Sequence, residues 1–98
     1  MADDPNNPMS FHHHIERGAR HMKTKQYGSA AAELEEAVKC VALDTHVAYN
    51  MLAGCYLQLS RLDDAERAYE EALSFKPDFA DARRNLGMLK DARRQTGR

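Results

Sequence analysis

The chain has 98 residues, 30% of them charged and 43% hydrophobic, with a formal net charge of −1, enough for one small domain or a few stacked repeats with a modest core. The balanced charge provides no global field to draw in nucleic acid or an anionic membrane, and no apolar run is long enough to cross a bilayer. Two cysteines, Cys40 and Cys55, are too few for a disulfide framework and are read as free, partly buried thiols.

Ala, Glu, Leu, Lys and Arg dominate and β-branched residues are scarce, so an all-α fold is expected. Met1 to Ser10, with Pro5, Pro8 and paired Asn residues, is expected to be a disordered lead-in. It lacks the apolar stretch of a secretory signal, and the expected location is cytoplasmic. A first helix is predicted from Phe11 to Lys25, then a turn at Gln26-Tyr27-Gly28-Ser29. A second helix follows from Ala30 to Ala42, with its apolar stripe at Ala30, Leu34, Ala37, Val38 and Val41. Asp44-Thr45 can cap a third helix that carries Ala48, Leu52, Cys55, Tyr56 and Leu59 on one side. Ser60-Arg61-Leu62-Asp63 is expected to be a turn, with Ser60 and Asp63 arranged like a capping box. A fourth helix runs from Ala65 to Phe75, Pro77-Asp78 breaks it, and a fifth runs from about Phe79 to Arg94. Turns of about four residues make consecutive helices antiparallel neighbours.

These helices repeat. Ala30, Leu34 and Ala37 recur 35 positions on as Ala65, Tyr69 and Ala72, Gly18 recurs as Ala53, and Leu52-Ala53 recurs 34 positions on as Leu86-Gly87. Such a period marks stacked supersecondary units, none of which can bury its apolar face alone. Small residues at helical spacing around a large one let two helices approach closely. Glycine inside a helix costs about 1 kcal/mol relative to alanine, so Gly18 and Gly87 are expected to mark such approaches.

Tyr49-x-x-Leu52-Ala53-x-x-Tyr56, followed by Ala65-x-x-x-Tyr69-x-x-Ala72 and Pro77, resembles a tetratricopeptide repeat (TPR). The resemblance divides the chain into a first repeat over 11–44, a second over 45–78 and a capping helix over 79–95. In the first, His14, Arg17 and His21 stand where the family has larger apolar residues. In the last, Ala82, Leu86 and Leu89 can cover the preceding helix while Arg83, Lys90 and Arg94 stay in water. The resemblance implies about five helices in a right-handed superhelix, with a concave groove lined by the first helix of each pair. Its ligand-facing positions correspond to Ile15, Ala19, Met22 and Lys23, then Asn50, Gly54, Leu57 and Gln58, then Arg84, Met88 and Asp91. The expected function is a protein–protein interaction adaptor or scaffold that holds a partner's peptide or amphipathic helix in that groove. The alternative is a structural unit that forms homo-oligomers through its groove or its superhelix ends.

Other chemistries have little to stand on. Chaperone-tail binders clamp a terminal carboxylate with Lys, Asn and Arg, but the corresponding positions here are Ile15, Ala19, Met51, Asp81 and Asn85. In the run His12-His13-His14 no histidine pair has the i, i+4 spacing of a helical zinc site, so it is read as a solvated helix start with no metal. No nucleophile with a base and an orienting acid, and no phosphate loop, is legible, so neither enzymatic activity nor a cofactor is expected.

Overall fold

The computed structural model describes residues 8–40 and 44–96, and among these it forms five α-helices and no strand. They are α1 (Pro8–Lys23), α2 (Tyr27–Ala37), α3 (Thr45–Gln58), α4 (Leu62–Phe75) and α5 (Ala80–Thr96). Each helix packs on its neighbour in the chain, giving an elongated stack of 48 × 29 × 17 Å. None of the described helices is long and apolar enough to cross a membrane.

The repeat is visible in what is buried. Ala30 and Ala65, Leu34 and Tyr69, and Ala37 and Ala72 are all 2% exposed or less. Ala48, Leu52 and Cys55 on α3 recur as Ala82, Leu86 and Leu89 on α5, and all six are buried. The main core runs from Ala30 to Leu89, and a smaller cluster of Phe11, Ala37, Cys40 and Ala48 lies at the N-terminal end, with Ile15 and Val38 packed against both. Alanine at so many buried positions permits the close helix approach that leaves room for Leu34 and Tyr69. Gly18 supplies the closest approach: a Cβ there would stand 2.9 Å from Leu34 Cγ. Gly87 does not repeat this, since a Cβ there would meet nothing within 4 Å. The expectation of a packing role for Gly87 is therefore corrected, because the described chain has no helix on that side of α5.

The helix boundaries differ from the sequence pattern for identifiable reasons. α1 begins at Pro8, and Ser10 and Phe11 are buried, so only residues 1–7 of the expected lead-in lie outside the described residues. Proline suits a first helical turn, where its missing N–H would have no partner in any case. α2 begins at Tyr27, which makes most of the expected turn its first turn; Val41 and Ala42 lie outside the described residues.

Both tight connections use one device. Lys25 and Ser60, 35 positions apart, adopt left-handed φ of 62° and 60°. Lys25 N–H donates to Met22 C=O and Gln26 N–H to His21 C=O; likewise Ser60 N–H donates to Leu57 C=O and Arg61 N–H to Tyr56 C=O. This double closure is the Schellman motif, which pairs carbonyls that a helix end would leave orphaned. The capping box expected at Ser60 and Asp63 is therefore absent: Ser60 closes α3, the N-cap of α4 is Arg61, and no side chain caps it. Asp44 is the N-cap of α3, again without a side-chain bond. Leu59, expected on the buried side of α3, is its C-cap and is 37% exposed.

Candidate functional site

α3, α4 and α5 enclose an open cleft of about 360 Å³ lined by Leu57, Leu62, Tyr69, Asn85, Met88, Leu89, Ala92 and Arg93. Its floor belongs to the fold, since Tyr69 and Leu89 are buried core residues and Leu57 packs against them. Its lips are Leu62, 39% exposed, and Met88, 64% exposed, two large apolar side chains presented to water. Apolar area left open beside buried walls marks a surface suited to an apolar side chain of another molecule.

Arg93 closes one edge of the cleft. It donates to Glu66 at 2.8 Å and Asp63 at 2.5 Å, which pins α5 to the N-terminal half of α4. Its hydrogen bond with Asp63, more than any other contact, raises its pKa above the usual value. Asp64, the next residue after Asp63, accepts from Arg67 and Arg61, and these bonds hold its carboxyl below the usual range. On another side of the α3–α4 pair, Tyr49, Leu52, Tyr56, Asp64, Arg67, Ala68 and Glu71 surround a more polar cleft of about 320 Å³. Tyr56 donates to Glu35 on α2 and carries Arg61 over its ring at 4.5 Å. Burial, reinforced by the Glu35 carboxylate, raises the Tyr56 phenol strongly. Burial also raises Tyr49 and Tyr69, and pushes the Cys55 thiol up to about 11.

The groove positions implied by the family resemblance do not all gather here. Leu57 and Met88 line the apolar cleft, and Gly54 is half-buried with open space where a Cβ would project. Ile15 and Met22 are half-buried against the core, and Ala19 is half-buried between them on α1. Asn50 is half-buried with its Oδ1 enclosed and unpartnered among the described residues. Lys23 and Gln58 are exposed at helix ends; Arg84 and Asp91 are exposed and pair along α5 with Asp81 at 3.0 Å and Arg94 at 3.4 Å.

Sequence reasoning missed Leu62 and Arg93. Leu62 had a signal, as an apolar residue in an otherwise polar turn. Arg93 had none, because its acids lie 27 and 30 positions away.

The histidine run also behaves differently from its reading as a solvated helix start. His12 and His13 are exposed, but His14 is buried and its Nδ1 lies 2.8 Å from Glu33 Oε1, with Arg17 3.8 Å from the other Glu33 oxygen. Among the described residues no group of three or more His, Cys, Asp or Glu side chains could hold a metal ion. Cys40 and Cys55 are buried free thiols.

The tetratricopeptide repeat family model matches residues 46–79, which span nearly all of α3, all of α4 and the connection to α5. No curated protein and no solved structure matches the chain. The chain is thus an all-α stack of helix pairs whose central pair, at residues 46–79, is similar to a tetratricopeptide repeat.

Proposed function

We propose that this protein is an interaction module of the cytoplasm that holds a peptide or amphipathic helix of another protein in the apolar cleft between α3, α4 and α5. The observation that carries this reading is the open cleft itself, with Leu62 and Met88 exposed at its lips above a buried floor. Residues 46–79 are similar to repeats that serve protein–protein interaction, which supports an interaction module. On this proposal, residues 11–44 and 45–78 are two repeats and 79–95 a capping helix.

Self-assembly through the ends of the stack has charge against it. The end helix α1 carries Arg17, Arg20 and Lys23 against one acid, Glu16. The other end helix, α5, carries Arg83, Arg84, Lys90, Arg93 and Arg94 against Asp81 and Asp91. Stacking one on the other would oppose like charges.

Met88 is the position to test, because Leu57 also supports the core. Met88→Glu would place a charge in the path of a bound apolar side chain, at a cost of a few kcal/mol of affinity. The expected result is loss of partners captured from native extract with little change in melting temperature. A variant that melts normally and retains every partner would place recognition elsewhere.

A further inference from the structure

α5 has a second face that the cleft does not use. Arg83, Gly87 and Lys90 are the counterparts of Tyr49, Ala53 and Tyr56, 34 positions earlier on α3, and of His14, Gly18 and His21 on α1. On α1 and α3 this face is covered. α2 covers it on α1, where Leu34 fills the space over Gly18 and Glu33 meets His14. α4 covers it on α3, with Asp64 and Glu71 beside Tyr56 and Tyr49. Both covering helices are acidic: α2 holds Glu33, Glu35 and Glu36 with no base, and α4 holds five acids against Arg67.

On α5 the same face is open. Arg83, Gly87 and Lys90 are exposed, and the space over Gly87 is empty to 4 Å. Neither Arg83 nor Lys90 forms an ion pair or a side-chain hydrogen bond among the described residues. Their charge lets the face stand in water without cover, unlike the tyrosines they replace. That charge also fixes the kind of helix that fits.

We propose that this face is a docking site for an acidic amphipathic helix of a partner protein, lying on α5 as α2 lies on α1. An apolar side chain would sit over Gly87, flanked by carboxylates that meet Arg83 and Lys90, about 10.5 Å apart along the helix. Charge complementarity selects this occupant, and the glycine makes the close approach possible. The site is separate from the apolar cleft, so either can fail without the other.

The test uses the full chain and a capped peptide of the α2 sequence, Tyr27–Ala37, stapled into a helix. Amide shifts are followed by NMR during titration. Saturable shifts are expected at Arg83, Gly87 and Lys90, with binding weakened about fivefold or more between roughly 50 and 200 mM salt. The pair Arg83→Glu and Lys90→Glu should abolish them. Gly87→Leu should also abolish them while helix content by circular dichroism is unchanged, since the space is open. No shift at about millimolar peptide, or shifts that survive the double substitution, would overturn the proposal. So would shifts at Leu57 and Met88 instead, a dimer that the double substitution dissolves, or binding to anionic vesicles but not to the peptide.

Discussion

Gly18 and Gly87 occupy one register position in two helices, yet replacing them with alanine should move stability in opposite directions. Either replacement removes backbone freedom from the unfolded chain and gains about 1 kcal/mol of helix propensity. At Gly87 nothing lies within 4 Å of the new methyl, so the gain is kept. At Gly18 the methyl would stand 2.9 Å from Leu34 Cγ and 3.0 Å from Cδ2. Leu34 is fully buried, and the closest atom is its branch point, so relief requires α1 or α2 to shift. Overpacking of this kind costs about 1–3 kcal/mol, which meets or exceeds the gain. Urea midpoints of both variants, compared at unchanged m-value, give the answer. Gly87→Ala should be more stable than the parent by up to about 1 kcal/mol, and Gly18→Ala less stable by up to about 2 kcal/mol. Two gains would refute the close contact between Gly18 and Leu34, and two losses would refute the uncovered face of α5.

Three further outcomes follow from local geometry. Lys25→Gly and Ser60→Gly should each raise stability by about 1 kcal/mol, because both residues hold a left-handed φ that glycine adopts without strain; an unchanged urea midpoint in both would contradict the closure described for α1 and α3. Tyr56→Phe should cost about 1–2 kcal/mol by removing the bond that ties α3 to Glu35 on α2, and a double-mutant cycle with Glu35→Gln should return most of that as coupling. Alkaline pH should destabilise the fold, since Cys55 is raised from 9.0 to about 11 and Tyr56 is raised as well, so the unfolded chain loses these protons first. Stability should therefore be flat below about pH 9 and fall as pH rises towards 11; a flat profile across that range would show that these groups are hydrated.

Much of the fold was legible because helix pairing is written in local spacing. The Ala30-Leu34-Ala37 and Ala65-Tyr69-Ala72 triplets, and the Ala82-Leu86-Leu89 face, are buried where periodicity put them. What periodicity could not supply were the helix ends. Lys25 and Ser60 give no glycine signal for a left-handed turn, so the pattern places both turns too late, and it counts Pro8 in a disordered lead-in where it begins a helix. The candidate cleft was only partly legible. Leu57 and Met88 follow from register, but Leu62, which the pattern assigns to a turn, opens α4, and Arg93 depends on distant acids. Register also treats every counterpart alike, whereas Gly18 is filled and Gly87 open because of what packs on each.

The two helix pairs also differ in the side chains that lie between their helices. In the central pair, Leu52 and Ala68 belong to the core with Tyr49 packed against it, and Tyr49 stacks on Phe75 with centroids 5.7 Å apart. At the corresponding positions, 35 residues earlier, stand His14, Arg17 and Glu33. These three form a polar trio that occupies the same place between α1 and α2. A glutamate at buried Ala68 alone would lack the histidine and arginine that Glu33 meets, so the polar trio is consistent only as a set. The first pair thus keeps the alanine and glycine contacts that set helix distance while exchanging the chemistry between them. α5 is joined to the stack in a third way, by Ala82, Leu86 and Leu89 below and by Arg93 between Asp63 and Glu66 at its edge. Helix spacing repeats along the chain because small residues fix it, and the side chains between those residues are free to differ. This freedom lets one architecture present an uncharged α3 at its centre and cationic helices at both ends.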